Sequence, residues 1–218
     1  MNAKTPRTPR KTRGEMAVSV VSSRQLNLAV LVGGGGRTLL NLHEQITEGK
    51  LHARIALVVA SRPGIGAIDR ARAAGLPLAM AESGNIFEQC TAAGADLVCL
   101  AGWMSLLEIP PAYAGRVMNI HPALLPSFGG RGFFGQRVHR AVLDHGCKIS
   151  GCTVHFVDAQ YDHGPIILQR ACPVVEDDTP QTLAARVFEE EKIAYPAAIN
   201  LFSQNRLVIE GPRVRVLA

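Results

Sequence analysis

The chain has 218 residues, 47% hydrophobic and 19% charged, with a formal net charge of +5 and a pI near 9.2. These values suit a soluble globular protein of one large or two small domains, and no apolar run approaches the span of a bilayer. The charge is lopsided: residues 1–26 carry Lys4, Arg7, Arg10, Lys11, Arg13 and Arg24 against Glu15 alone, so the remainder is neutral and a basic nucleic-acid face on it is not expected.

Residues 1–26 are rich in Thr, Pro, Arg and Lys and lack apolar periodicity before Met16, which reads as a disordered basic tail. A transit peptide shares that composition. From 27 to 218 we read a single domain. Leu26–Val32 is a buried strand, broken by Gly33-Gly34-Gly35-Gly36, and Thr38–Glu48 follows with helical spacing at Leu39, Leu42 and Ile46. Ile55–Ala60 is a second strand, Ile65–Ala74 a helix ended by Gly75, Leu76–Met80 a short strand and Ile86–Ala93 a helix. Asp96–Ala101 and Arg116–Ile120 are further strands. Strands alternating with helices call for a parallel sheet covered on both faces. After Cys147 the pattern changes. Ile149–Val157 and Pro165–Val175 are joined by the short connection Asp158–Gly164, which permits an antiparallel pair. Thr179–Phe202 reads as a long helix with Thr179 as cap and Pro180 in its first turn, and Leu207–Val216 supplies one or two last strands. The expected fold class is α/β: a single doubly wound, mostly parallel Rossmann-like sheet with an antiparallel strand pair in the C-terminal half. The five cysteines, Cys90, Cys99, Cys147, Cys152 and Cys172, are odd in number and form no CxxC, so neither a disulfide framework nor a zinc site is expected and a reducing, cytoplasmic setting is the simplest.

The glycine run ends in Arg37-Thr38 at a strand-to-helix turn, where backbone amides favour an anion. It completes neither GxGxxG nor the Walker pattern, so a phosphate monoester is the expected ligand rather than a dinucleotide or triphosphate. Asn119 and His121 are two apart at the end of a buried strand and project to one side, toward the crevice where open α/β sheets bind ligands. An amide and an imidazole there, with the carboxylate of Asp162 in the turn Tyr161-Asp162-His163-Gly164-Pro165, suit acyl transfer to an amine: donors for an oxyanion and a carboxylate for a proton. By itself Asp162 reads equally as a turn-stabilising residue. His155 alternates with Val154 and Phe156 and reads as a residue behind the site, whereas His139, His145 and His163 read as solvated or structural. Phe128–Gly135 is a glycine and aromatic loop that could form a lid.

Together these stretches resemble the phosphoribosylglycinamide formyltransferases, folate-dependent enzymes of purine synthesis. The resemblance runs from about Leu26 to the end. It rests on Gly33–Thr38, Ala101-Gly102-Trp103-Met104, Asn119-Ile120-His121-Pro122 with Leu124-Leu125-Pro126, Val154–Val157, Asp162–Gln169 and Tyr195-Pro196. It implies the formyltransferase fold and formyl transfer from 10-formyltetrahydrofolate to glycinamide ribonucleotide. It further implies catalysis by Asn119, protonated His121 and Asp162, acceptor binding by Gly35, Gly36, Arg37, Thr38 and Glu191, and a folate pocket at Met104, Leu107, Asp158 and Tyr161. No metal, nucleic acid or membrane partner is implied, and a homodimer is among the assemblies left open. Arg37-Thr38 replaces the Ser-Asn common in the family, and Ser105 stands where many members have arginine. The alternatives are a formyltetrahydrofolate deformylase, which usually carries an extra N-terminal domain, and a non-catalytic phosphosugar or folate binder.

Overall fold

A computed structural model describes Met16–Ala17, the latter pair by backbone only, together with residues 25–81 and 86–218. A ten-stranded sheet forms the centre. Its strands are β1 (Met16–Ala17), β2 (Leu26–Val32), β3 (Ala53–Ala60), β4 (Leu78–Met80), β5 (Leu97–Ala101), β6 (Val117–His121), β7 (Ile149–Phe156), β8 (Ile166–Pro173), β9 (Leu207–Glu210) and β10 (Arg213–Val216). Their order is β1-β9-β10-β8-β7-β6-β5-β2-β3-β4. From β4 to β6 all neighbours are parallel. β7 then runs antiparallel to both β6 and β8, so the antiparallel part is wider than one pair. Met16–Ala17 fall within the stretch read as a disordered tail, yet their backbone pairs with β9, whose edge offers unpaired amides and carbonyls. Residues 1–15 and 18–24 lie outside the described residues.

The helices are α1 (Arg37–Thr47), α2 (Gly66–Ala73), α3 (Ile86–Ala92), α4 (Gln136–Asp144) and α5 (Pro180–Ser203). Every side chain of β2 is buried, and the pleat divides them: Leu28, Val30 and Val32 join the core beneath α1, α2, α4 and α5, while Ala29 and Leu31 join a smaller core with Cys90 of α3 and Tyr113. α5 begins as the sequence suggests, with a reciprocal capping box between Thr179 and Thr182 and Pro180 at its first turn. Pro196 lies inside α5 and has no N–H for the carbonyl of Lys192 four residues back; the buried amide of Asn41 on α1 takes that carbonyl instead, at 3.3 Å. This bond ties α1 to α5. Tyr195 is fully buried, and its hydroxyl lies 3.0 Å from the carbonyls of both Leu100 and Met118, joining α5 to β5 and β6.

One α-helix was not legible in the sequence. α4 follows the glycine and aromatic loop directly and buries only Val138, His139 and Val142. The pair Val138 and Val142, four apart, was the available signal.

Candidate functional site

The chain leaves β2 for β3 and β4 on one side and returns past β2 to β5 and β6 on the other, so the order reverses between β2 and β5. At the carboxyl ends of these strands lies a cavity of about 750 Å³. That is the place open α/β sheets provide for ligands. β2 delivers Gly33–Gly36 to it, β5 delivers Gly102 and Trp103, and β6 delivers Asn119 and His121.

The turn into α1 uses Gly36 with φ 82°, a left-handed conformation that costs other residues energy, and Gly36 supplies no side-chain cap. The first intrahelical bond of α1 runs from the N–H of Leu40 to the carbonyl of Gly36, so the amides of Arg37, Thr38 and Leu39 precede the helical ladder and point outward from its start. A β-carbon added at Gly34 or Gly35 would meet open space. The sequence beyond β6 is pinned by Thr153 of β7, whose hydroxyl donates to the Ala123 carbonyl (2.7 Å) and accepts from the Leu125 N–H (3.0 Å). Gln169 of β8 donates to the Leu125 carbonyl at 2.9 Å. These bonds fix the chain leaving His121.

Asp162 is the centre of the polar cluster. It returns over the sheet because Gly164 packs against the β7 backbone, where a β-carbon would come within 1.9 Å of the Phe156 carbonyl. Asp162 itself adopts φ 53°. Its Oδ1 accepts from Asn119 Nδ2 at 3.3 Å, and its Oδ2 accepts from the Gly130 N–H at 2.9 Å and lies 3.4 Å from His121 Nδ1. The other ring nitrogen of His121 donates to the Phe128 carbonyl at 2.8 Å. Behind Asn119 stands His155, as the sequence suggests. Its Nδ1 donates to the Phe156 carbonyl, leaving Nε2 to accept from Asn119 at 3.1 Å. The register sets this arrangement, because β6 pairs Asn119 with His155 and His121 with Thr153. Burial pulls the His121 ring below the usual imidazole range; Asp162 and the Phe128 carbonyl oppose that shift without reversing it. Burial also raises the Asp162 carboxyl, but His155, His121 and the Gly130 N–H outweigh it and hold the group below the usual carboxylate range. In the free protein, then, the carboxylate is ionised, and burial favours the neutral form of the His121 ring.

The opposite wall carries Arg37, His139 and Glu191. Arg37 is exposed and stacks on the Phe188 ring, 4.4 Å from its centroid, and no ion pair engages it among the described residues. Burial lifts the Glu191 carboxyl to about 7, against the opposing pull of Arg37, although part of the residue remains open to solvent. His139 is 4% exposed, with Nδ1 unpartnered. The sequence reading gave it no place in a site.

Of the residues expected to hold a folate, Met104 and Tyr161 line the main cavity, and Leu107 and Tyr161 line an adjoining cavity of about 40 Å³ beside Asn119 and His155. The Tyr161 hydroxyl accepts from the Leu106 N–H at 3.2 Å across that slot. Asp158 lines neither. Its carboxylate caps its own loop, accepting from the Gln160 N–H at 2.9 Å and pairing with His163 at 2.6 Å. The loop Phe128–Gly135 does face the cavity, through Gly130–Gly135. Among the described residues no cluster of His, Cys, Asp and Glu could hold a metal ion, and no helix is long and apolar enough to cross a membrane.

The family model described as formyl transferase matches residues 26–199. The chloroplastic phosphoribosylglycinamide formyltransferase of Arabidopsis thaliana is 36% identical over 197 residues, which is 84% of this chain and 68% of that protein. The crystal structure of glycinamide ribonucleotide transformylase 1 from Symbiobacterium toebii superposes with a TM-score of 0.82 at 39% identity, covering 93% of this chain and 100% of that one. A formyltetrahydrofolate deformylase from Pseudomonas syringae pv. tomato shares the fold, with a TM-score of 0.80 at 21% identity, over 90% of this chain and 67% of its own.

Proposed function

The chain belongs to the phosphoribosylglycinamide formyltransferase family of formyl transferases, and on that premise we propose that it transfers a formyl group from 10-formyltetrahydrofolate to the amine of glycinamide ribonucleotide. One observation carries the reading: Asn119 and His121 both reach Asp162, at 3.3 and 3.4 Å, in the wall of a cavity that also receives the start of α1. Met104, Leu107 and Tyr161 line the folate side, and Gly35, Gly36, Arg37, Thr38 and Glu191 hold the acceptor. Asp158 acts on the folate side only by shaping its loop. The domain comprises residues 27–218, acts in purine biosynthesis and takes small molecules as its partners.

In the proposed mechanism the acceptor's amine attacks the formyl carbon directly. A C–N bond forms, the carbonyl electrons move onto oxygen, and the nitrogen becomes cationic and strongly acidic. An ionised carboxylate of low pKa is then basic enough, and Asp162 takes the proton. The negative oxygen raises the proton affinity of the neighbouring imidazole. His121, whose burial favours the neutral ring at rest, takes up a proton from solvent as that oxygen develops, serves as a charged donor and returns the proton on collapse. Asn119, whose 3.3 Å bond to Asp162 is long, turns an amide hydrogen to the same oxygen. Collapse breaks the bond between carbon and the folate nitrogen, and the proton held by Asp162 passes to that nitrogen through water.

Consumption of 10-formyltetrahydrofolate is expected only when glycinamide ribonucleotide is present. Equal consumption with water as the sole acceptor would make the protein a deformylase.

A further inference from the structure

Beside the main cavity lies a second one of about 350 Å³, and the two share Arg37, Gly135, His139 and Ala184. Its polar lining consists of Arg37, Gln136, His139 and Gln181, with no carboxylate; Glu191 lines only the main cavity. The side cavity thus offers a guanidinium, two amides and an imidazole to an incoming group, the donor set an anion selects. Gln181 Nε2 donates to Gln136 Oε1 at 2.9 Å, which bridges the first turns of α5 and α4 and leaves hydrogens of both amides free. α1 contributes its uncapped start at Arg37.

His139 is the anomaly in this wall. It is 4% exposed on α4, and its Nδ1 is sealed from solvent with no hydrogen-bond partner among the described residues. Buried polar groups are nearly always satisfied, because leaving one unpaired costs the full desolvation penalty. The Arg37 guanidinium beside it is exposed, stacked on the Phe188 ring and held by no ion pair among the described residues, so it is available to an incoming anion. A buried imidazole left unsatisfied and an available guanidinium on one wall mark a place that a ligand can complete.

We propose that His139 is a specificity-determining residue for a phosphorylated acceptor: with Arg37, Gln136 and Gln181 it closes the seat of the acceptor's phosphoryl group, donating a ring N–H to a phosphate oxygen. This assignment of the acceptor rests on the formyl-transfer reading above. Burial, with Arg37 and His121, pushes the His139 ring down to about 4, so near pH 7 it is neutral and carries a single N–H. A dianion seated beside it supplies the absent partner, and the hydroxyl of an unphosphorylated sugar would leave Arg37 unmatched.

The test uses ribose 5-phosphate and ribose as binding probes for the full-length protein, followed by acceptor kinetics. The wild type is expected to prefer the phosphorylated sugar strongly, and His139→Ala to lose about tenfold of that preference, with His139→Gln restoring part of it. The acceptor's KM should rise by about the same factor while the KM for folate stays put, a split that general loosening of the fold would not give. If His139→Ala does not fold, the same preference measured in His139→Gln and Gln181→Ala decides the matter. A phosphate preference unchanged in these variants overturns the inference and leaves the formyl-transfer reading standing. A preference that depends on His139 in a protein that does not formylate glycinamide ribonucleotide sustains the phosphate seat and sinks the reaction instead.

Discussion

The two walls of the cavity differ in how their polar groups are occupied. Around Asp162 every group is engaged: the carboxylate accepts from Asn119 and Gly130 and faces His121, and His155 backs Asn119. At the start of α1 and along α4 the groups stand apart, with Arg37 on an aromatic ring and the buried Nδ1 of His139 with no partner among the described residues. A mutually satisfied cluster holds its geometry before any ligand arrives, which is what a chemical step requires. A wall of unsatisfied donors is completed by its ligand and governs affinity. Substitutions on the first wall should therefore act mainly on kcat, and those on the second mainly on KM.

The comparison can be broken most directly at Asp162. Asp162→Asn keeps the shape and tolerates the left-handed backbone at φ 53°, yet removes the proton acceptor, and kcat should fall by about 10²–10⁴-fold with the far-ultraviolet spectrum unchanged. An unaffected rate would end the claim that this wall performs the chemistry. Asn119→Ala removes one oxyanion donor and should lower kcat by roughly 10²-fold with little change in the acceptor's KM. If KM moves instead, Asn119 belongs with the binding wall. Arg37→Ala should raise the acceptor's KM by about tenfold and alter kcat much less; the reverse split would place Arg37 in the chemical step.

Glu191 sharpens the contrast through pH. Its folded carboxyl titrates at about 7 against an ordinary 4.5, so the folded state binds the proton more tightly than the unfolded chain. The stability this contributes is fully present below 4.5, is lost as pH rises through 7, and is gone above it. Relative to Glu191→Gln, the wild type should lose Tm across that window and run parallel above it. A constant difference across the window would show that the carboxyl is not buried as described. The smallest effect on turnover is expected from Tyr195→Phe, which strips a hydroxyl from the Leu100 and Met118 carbonyls below the site. It should cost about 1–3 kcal/mol of stability in a denaturant titration while kcat and both KM values stay near wild type. A large loss of turnover would mean that the strand ends do not hold their positions without α5.

Much of the fold was legible because burial imposes periodicity. β2 is apolar on both faces and was read to the residue, and α5 was marked at its start by Thr179-Pro180. α4 escaped because its buried stripe is short and includes a histidine, and because glycines precede it. The same omission hid His139, which reads as solvated until a helix is placed beneath it. Asp158 stands apart from both cavities for a local reason: Gln160 and His163, two and five residues away, engage its carboxylate within its own loop. Asn119, His121 and Asp162 were selected through their motifs, but their spacing could not show that all of them converge.

The residues alone determined where the chain turns, which runs are buried on both faces, and which side chains of useful chemistry stand at strand ends, since backbone sterics and apolar burial act over a few neighbours. Only the tertiary structure decided who meets whom. Asn119 sits opposite His155, and Asp162 is carried back over them, because sheet order and register sum the packing of every element, and contacts between residues far apart in sequence follow from that sum. The same summation set Arg37 on the Phe188 ring and left the buried Nδ1 of His139 without a partner among the described residues on the other wall.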